Sequence, residues 1–114
     1  MIALEFGHVY VRAGAKVTIL EALPRLLPQQ DQDAVDKIRR ECERIGIMLH
    51  TGVKVKRVEK AADTLRVVYQ DSGEERVVEA DRVVNGIGRV PNVDSLDLDA
   101  GKIEHDGLRI GVDD

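Results

Sequence analysis

A chain of 114 residues with 43% hydrophobic content is one domain's length and holds enough apolar material for a modest core. Its net charge of −4, with no concentrated basic face, excludes an electrostatic grip on nucleic acid or an anionic membrane, and aromatics at 3% with no tryptophan leave no platform for stacking bases. A single cysteine rules out an internal disulfide, and with no signal peptide and no apolar run near 20 residues the expected setting is reduced and cytoplasmic.

From the start, Ile2, Phe6, Val9 and Ala13 recur at helical spacing, and Gly14 stands where a left-handed cap ends a helix. The chain is therefore expected to open inside a helix. "AKVTIL", apolar at Val17, Ile19 and Leu20, reads as a strand covered on both faces and paired in parallel. "EALPRLLPQQ" contains Pro24 and Pro28, cannot continue that strand, and reads as a surface connection. Asp31 or Asp33 then caps a second helix whose stripe, Val35, Ile38, Cys42 and Ile45, runs until Gly46 stops it, and a short strand "IMLH" follows.

Residues 1–50 thus alternate helix and strand, the rhythm of a doubly wound α/β sheet. Residues 51–80 change character. "VKVKRVE", "LRVVYQ" and "ERVVEA" read as an antiparallel β-meander, the last two runs joined at "DSGE", where glycine makes positive φ cheap. Residues 81–114 are expected to return as a buried strand in "DRVVNGIG", then pass through a "GRVPN" loop to a polar exit with one last short strand near "LRIGV".

The residue carrying most chemical meaning is Glu21, directly after the first strand. In a dinucleotide-binding βαβ unit the first strand ends in a glycine-rich turn against the pyrophosphate, and an acid ending the second strand accepts hydrogen bonds from the adenosine ribose. With Ala3 as the last small residue of that turn, Glu21 lies 18 positions on, against an expected spacing of about 20. The first two glycines of the fingerprint and the strand before them are then expected to precede Met1. An Rossmann-like domain lacking its first strand follows.

The order "xIALEFxxVxxxxGAKVTILE", "LPRLLPQQDxD", "TGVKVKRVE", "EADRVV" and "GIGRVPN" resembles the pyridine-nucleotide domain of the flavoprotein disulfide reductases, the family of dihydrolipoamide dehydrogenase, glutathione reductase and mercuric reductase. The resemblance runs over nearly the whole chain. It implies that Glu5 lies near the nicotinamide carboxamide, Glu21 on the adenosine ribose, Val53 against the adenine and Gly88 close to the nicotinamide. It also implies NAD as coenzyme. NADP is disfavoured because the Glu21 carboxylate repels a 2′-phosphate, although Arg25 follows four residues later. Two departures stand in the last motif: Gly86 where the family often has alanine, and Asn85 where it often has a nonpolar residue.

Catalysis in the family needs FAD, a redox cysteine pair and a histidine–glutamate pair from the flavin and interface domains, none of which this chain carries. The expectation is a piece of an FAD-dependent, NAD-linked disulfide oxidoreductase, inactive alone and binding NAD weakly or not at all, with those absent domains as its partners. An adenine-nucleotide sensor and a non-catalytic assembly module are the alternatives. With the first strand absent, the strands around Val17–Leu20 and Arg82–Val84 are expected either to meet or to recruit a second copy through their open edges.

Other residues read more plainly. Cys42 lies on the second helix's apolar stripe and suits a small buried hydrophobe better than a nucleophile. His8, His50 and His105 are far apart and carry no ligand spacing, so no metal site is expected. Glu5 has an ordinary alternative too, since an acid in a first helical turn favours the macrodipole whatever the ligand.

Overall fold

A computed structural model of the chain describes residues 1–107 and 109–112. Its elements are α1 (Ile2–Arg12), β1 (Val17–Glu21), α2 (Gln32–Arg44), β2 (Ile47–Thr51), β3 (Lys54–Ala61), β4 (Thr64–Asp71) and β5 (Glu74–Ala80). β1 and β2 pair in parallel from Val17 opposite Ile47 to Glu21 opposite Thr51. β3, β4 and β5 form a separate antiparallel sheet in chain order. The architecture is an α/β layer of incomplete Rossmann type followed by a β-meander.

The α/β layer is built around one cluster: Leu4 from α1, Ile19 and Ile47 from the strands, Val35 and Cys42 from α2, and Leu26 from the connection between. Burying each of the larger of these side chains contributes roughly 1.5–3 kcal/mol. α2 presents the stripe its sequence spacing predicts. It begins at Asp31, whose side chain makes no capping hydrogen bond, and gives way to Gly46 at φ +94°.

α1 packs differently from the spacing of Ile2, Phe6, Val9 and Ala13. Its buried positions are Leu4 and Gly7, with Ala3 and Val11 beside them, while Phe6 and Val9 remain 47% and 62% exposed. The helix carries apolar residues on both sides, and the side bearing Gly7 wins because it permits the closest approach. A Cβ built on Gly7 would stand 3.1 Å from Ile19 Cδ1 and 3.5 Å from Ile47 Cδ1. The displaced apolar side leaves Phe6 stacked on Tyr10 at the surface.

The connection "EALPRLLPQQ" is likewise only partly superficial. Leu26 drops into the core, and Leu27 turns the chain with a φ of +43° while its carbonyl accepts the Gln30 N–H.

The meander follows its expected runs. Ser72 and Gly73 make the β4–β5 turn with positive φ at both positions, and Ala62 makes the β3–β4 turn at φ +47°. Val67, Val68 and Tyr69 of the central strand are buried, and Tyr69 meets His50 of β2 across the two sheets, ring centroids 5.8 Å apart.

Two expected strands are absent. Arg82–Val84 is not a strand, and Val83 and Val84 lie exposed: β1 pairs only with β2, so this segment has no ladder to join. Nor do Val17–Leu20 and Arg82–Val84 meet by rearrangement. Near "LRIGV" the structure holds a single antiparallel bridge, His105 to Ile110, with Leu108 outside the described residues. The exit is held by turns in place of a ladder, such as the Ile103 N–H donating to the buried Leu98's carbonyl.

Candidate functional site

Parallel pairing puts the carboxyl ends of β1 and β2 on one rim, and that rim is where open α/β sheets bind ligands. Glu21 is the last residue of β1 and Thr51 the last of β2. One carboxylate oxygen of Glu21, Oε1, accepts the Leu23 N–H at 2.8 Å. This tight turn fixes the side chain and leaves Oε2 without a protein donor among the described residues. An ionised carboxylate accepts from several donors at once, so the group retains capacity for two adjacent hydroxyls.

The backbone around the acid is tied as well. Leu23 accepts the Gly52 N–H at 2.8 Å, and the Glu21 carbonyl accepts the Val53 N–H at 3.2 Å. Val53, two residues past the end of β2, is only 2% exposed. Arg39 of α2 donates to Thr51 Oγ1 at 3.4 Å, fixing the far side. Arg25 bends back within its own loop and donates to the Gln30 carbonyl, and its Nε has no partner.

Ala3 and Glu5 lie on the first two turns of α1, Ala3 half-buried against the core and Glu5 exposed. Gly86 rests directly on Ala3: a Cβ built there would meet Ala3 Cβ at 2.9 Å. Gly88, two residues on, is exposed with φ +135°, a conformation that needs glycine, and nothing lies within 4 Å of where its Cβ would stand. The structure thus brings the GIGR loop to the start of α1. Sequence reasoning singled out both ends of this contact but not the contact itself; the signal was an alanine at one end and a glycine at the other.

Cys42 is fully buried, and desolvation pushes its thiol up from the ordinary cysteine range, with Glu41 and Glu43 adding to the effect. A neutral thiol in the core is a packing group. No group of three or more metal-ligating side chains occurs among the described residues. No helix there is long and apolar enough to cross a membrane. A shallow, open depression lined by Asp31, Gln32, Asp33, Ala34 and Lys37 contains none of these site residues.

A parallel strand pair with a crossover helix and an acid at its carboxyl rim defines a Rossmann-like nucleotide-binding class. Within that class the assignment is specific: a family model described as pyridine nucleotide-disulphide oxidoreductase matches residues 1–114, and the chain belongs to that family. Dihydrolipoyl dehydrogenase of Mycobacterium tuberculosis is 36% identical over 114 residues, covering 99% of this chain and 25% of the relative. The HOCl-induced flavoprotein disulfide reductase RclA of Escherichia coli matches with a TM-score of 0.80 at 27% identity, over 96% of this chain and 25% of that one. An engineered water-forming NADPH oxidase bound to NADPH, made from a Lactobacillus brevis NADH oxidase, gives a TM-score of 0.75 at 27% identity, over 90% of this chain and 22% of that one. The chain spans about a quarter of the length of the curated relatives it matches.

Proposed function

We propose that this chain supplies the adenosine-binding rim and part of the nicotinamide surface of an FAD-dependent, NAD-linked disulfide oxidoreductase, and that alone it is catalytically inactive. The observation carrying the proposal is Glu21 at the carboxyl rim, one oxygen held by the Leu23 N–H and the other available to a sugar. Glu21 accepts from the ribose hydroxyls, Val53 lies against the adenine, Ala3 ends the small-residue turn against the pyrophosphate, and Glu5 and Gly88 lie near the nicotinamide. The residues fit such a ligand: the carboxylate has unused acceptor capacity, and Gly88 leaves the space of a side chain empty. A bound NADH supplies a hydride; this chain's own part is to orient the sugar and to leave room at Gly88. The flavin and the reducible cysteines belong to the rest of such an enzyme, which is the proposed partner.

The spacing of substitutions in the engineered oxidase supports NAD over NADP. That enzyme changes a glycine to alanine, an aspartate to alanine eighteen residues on, the next two residues from alanine to arginine and methionine to serine, and a proline to arginine seven past the aspartate. Counting likewise from Ala3 reaches Glu21, Ala22, Leu23 and Pro28. At four of five positions this chain has the acid, the alanine, an apolar residue and the proline of the NADH oxidase; Ala3 alone has the engineered type.

Titration of the isotopically labelled chain with millimolar NAD tests the reading. Amide shifts are expected at residues 21–23 and 52–53, with a dissociation constant far weaker than micromolar because one acid offers the phosphates nothing. Glu21→Ala should abolish them, and NADP should produce less. Low-micromolar affinity overturns the weak-binding part, and shifts indifferent to Glu21→Ala overturn the site.

A further inference from the structure

Between Arg82 and Asn92 the chain runs without a strand and, among the described residues, without a backbone hydrogen bond to any other segment. Its recorded polar contacts are local: the Ile87 N–H donates to Asn85 Oδ1, and Arg82 donates to the Asp81 carbonyl. Ile87 is 94% exposed. With so few hydrogen-bonded anchors, the order of this stretch depends on packing.

One point in it fits tightly. A Cβ built on Gly86 would lie 2.9 Å from Ala3 Cβ and 3.2 Å from both Ala3 Cα and Ala3 N, whereas carbon atoms settle at about 3.5–4.0 Å. Backbone therefore rests on the first turn of α1 at a separation that only a residue without a side chain permits. Gly86 is not among the positive-φ residues, so the demand for glycine there is one of space alone. Gly88 is the reverse: its φ of +135° demands glycine while its surroundings are open. The loop is pinned at one glycine and vacant at the next.

The geometry points to Gly86 as a positioning residue: its close contact with Ala3 fastens the 82–92 loop to α1 and so sets where Gly88 stands. The Ala3 methyl is the other half of the fit. Exchanging the two residues removes the 2.9 Å approach to the methyl but leaves those of 3.2 Å to Ala3 Cα and N, which belong to the backbone of α1, so it relieves the crowding in part. The fastening is a property of the chain itself; its bearing on a coenzyme rests on the nucleotide reading above.

Backbone order of the full 114-residue chain, measured by nitrogen-15 relaxation, tests the contact without any ligand. Gly88 is expected in the rigid range, near 0.85, in the wild-type chain and below about 0.6 in Gly86→Ala. The double variant Ala3→Gly/Gly86→Ala should recover part of the lost order, because only the methyl's share of the clash is removed. A Gly86→Ala chain that keeps Gly88 rigid, or a double variant no more ordered than Gly86→Ala, overturns the proposal. Should Gly86→Ala not fold, Ala3→Gly takes its place: removing the methyl leaves a gap, and Gly88 must loosen there too, an unchanged value counting against the contact. Loss of Glu21 dependence in the titration would remove the coenzyme reading while leaving the relaxation result to decide the fastening.

Discussion

Single residues here divide into those that pack and those that stay available, and burial sorts them more firmly than residue type. Cys42 is the chain's one thiol and lies wholly inside, its ionisation opposed first by desolvation and then by Glu41 and Glu43. A disulfide reagent at pH 8 should therefore leave the folded chain unlabelled and react fully once denaturant is added; labelling within seconds in buffer would contradict the burial. The same shift has a sign in alkali. A raised folded-state pKa gives stability that is present below the unfolded thiol's pKa, about 8.5, and is lost as pH rises through the higher folded value. Cys42→Ala should lack that alkaline loss. Glu21 is the opposite kind of residue, ordered by its own turn yet facing outward. Its place at the end of β1 was legible from the sequence, because a strand's length fixes where its end falls. The Gly86–Ala3 contact was not legible: no local pattern reports that residues 83 positions apart touch.

At the level of elements, period-two and period-three-to-four patterns located the five strands and two helices of the described residues, yet misjudged what needs a neighbour. Arg82–Val84 has the β-branched content of a strand, but a strand exists only against another, and composition does not report the vacancy. α1 failed in a related way, since both its sides are apolar and the spacing that looked most regular is the exposed one. The meander's tight turns carry a removable cost. Ala62 holds φ +47°, where a β-carbon is disfavoured by roughly 1–2 kcal/mol and glycine is not. Ala62→Gly is expected to raise the unfolding free energy by up to about 1 kcal/mol, read from the denaturant midpoint. On one face of the same sheet Arg66 lies between Glu59 and Glu79, and Arg57 between Glu59 and Glu75. The Arg57 guanidinium holds Glu59 below the usual glutamate range, with Arg66 assisting. A depressed carboxylate contributes stability that is present above the unfolded value, about 4.3, and is lost as pH falls through the lower folded one. Acid unfolding should thus steepen below about pH 4, and Glu59→Gln should flatten that limb, though only slightly, because the network is exposed to solvent.

The whole molecule is looser than its length suggests. Its radius of gyration is 18.2 Å, where a compact domain of about 100 residues measures about 13 Å. The main core draws on residues 3–49 alone, and the meander adds its own small buried patch at Val67, Val68 and Tyr69. Hydrogen exchange should show this division directly: slow amides in β1, β2, the helices' inner faces and β4, and fast ones from Arg82 to Asn92. Uniform protection across all segments would mean a single cooperative unit instead. What joins the parts is slight but well placed. The meander begins immediately after Gly52 and Val53, whose N–H groups clasp the main chain of Leu23 and Glu21. The three-stranded arm is in effect a lever whose fulcrum sits beneath the acid, so a grip taken on the arm from outside would twist or steady the rim before any ligand arrives.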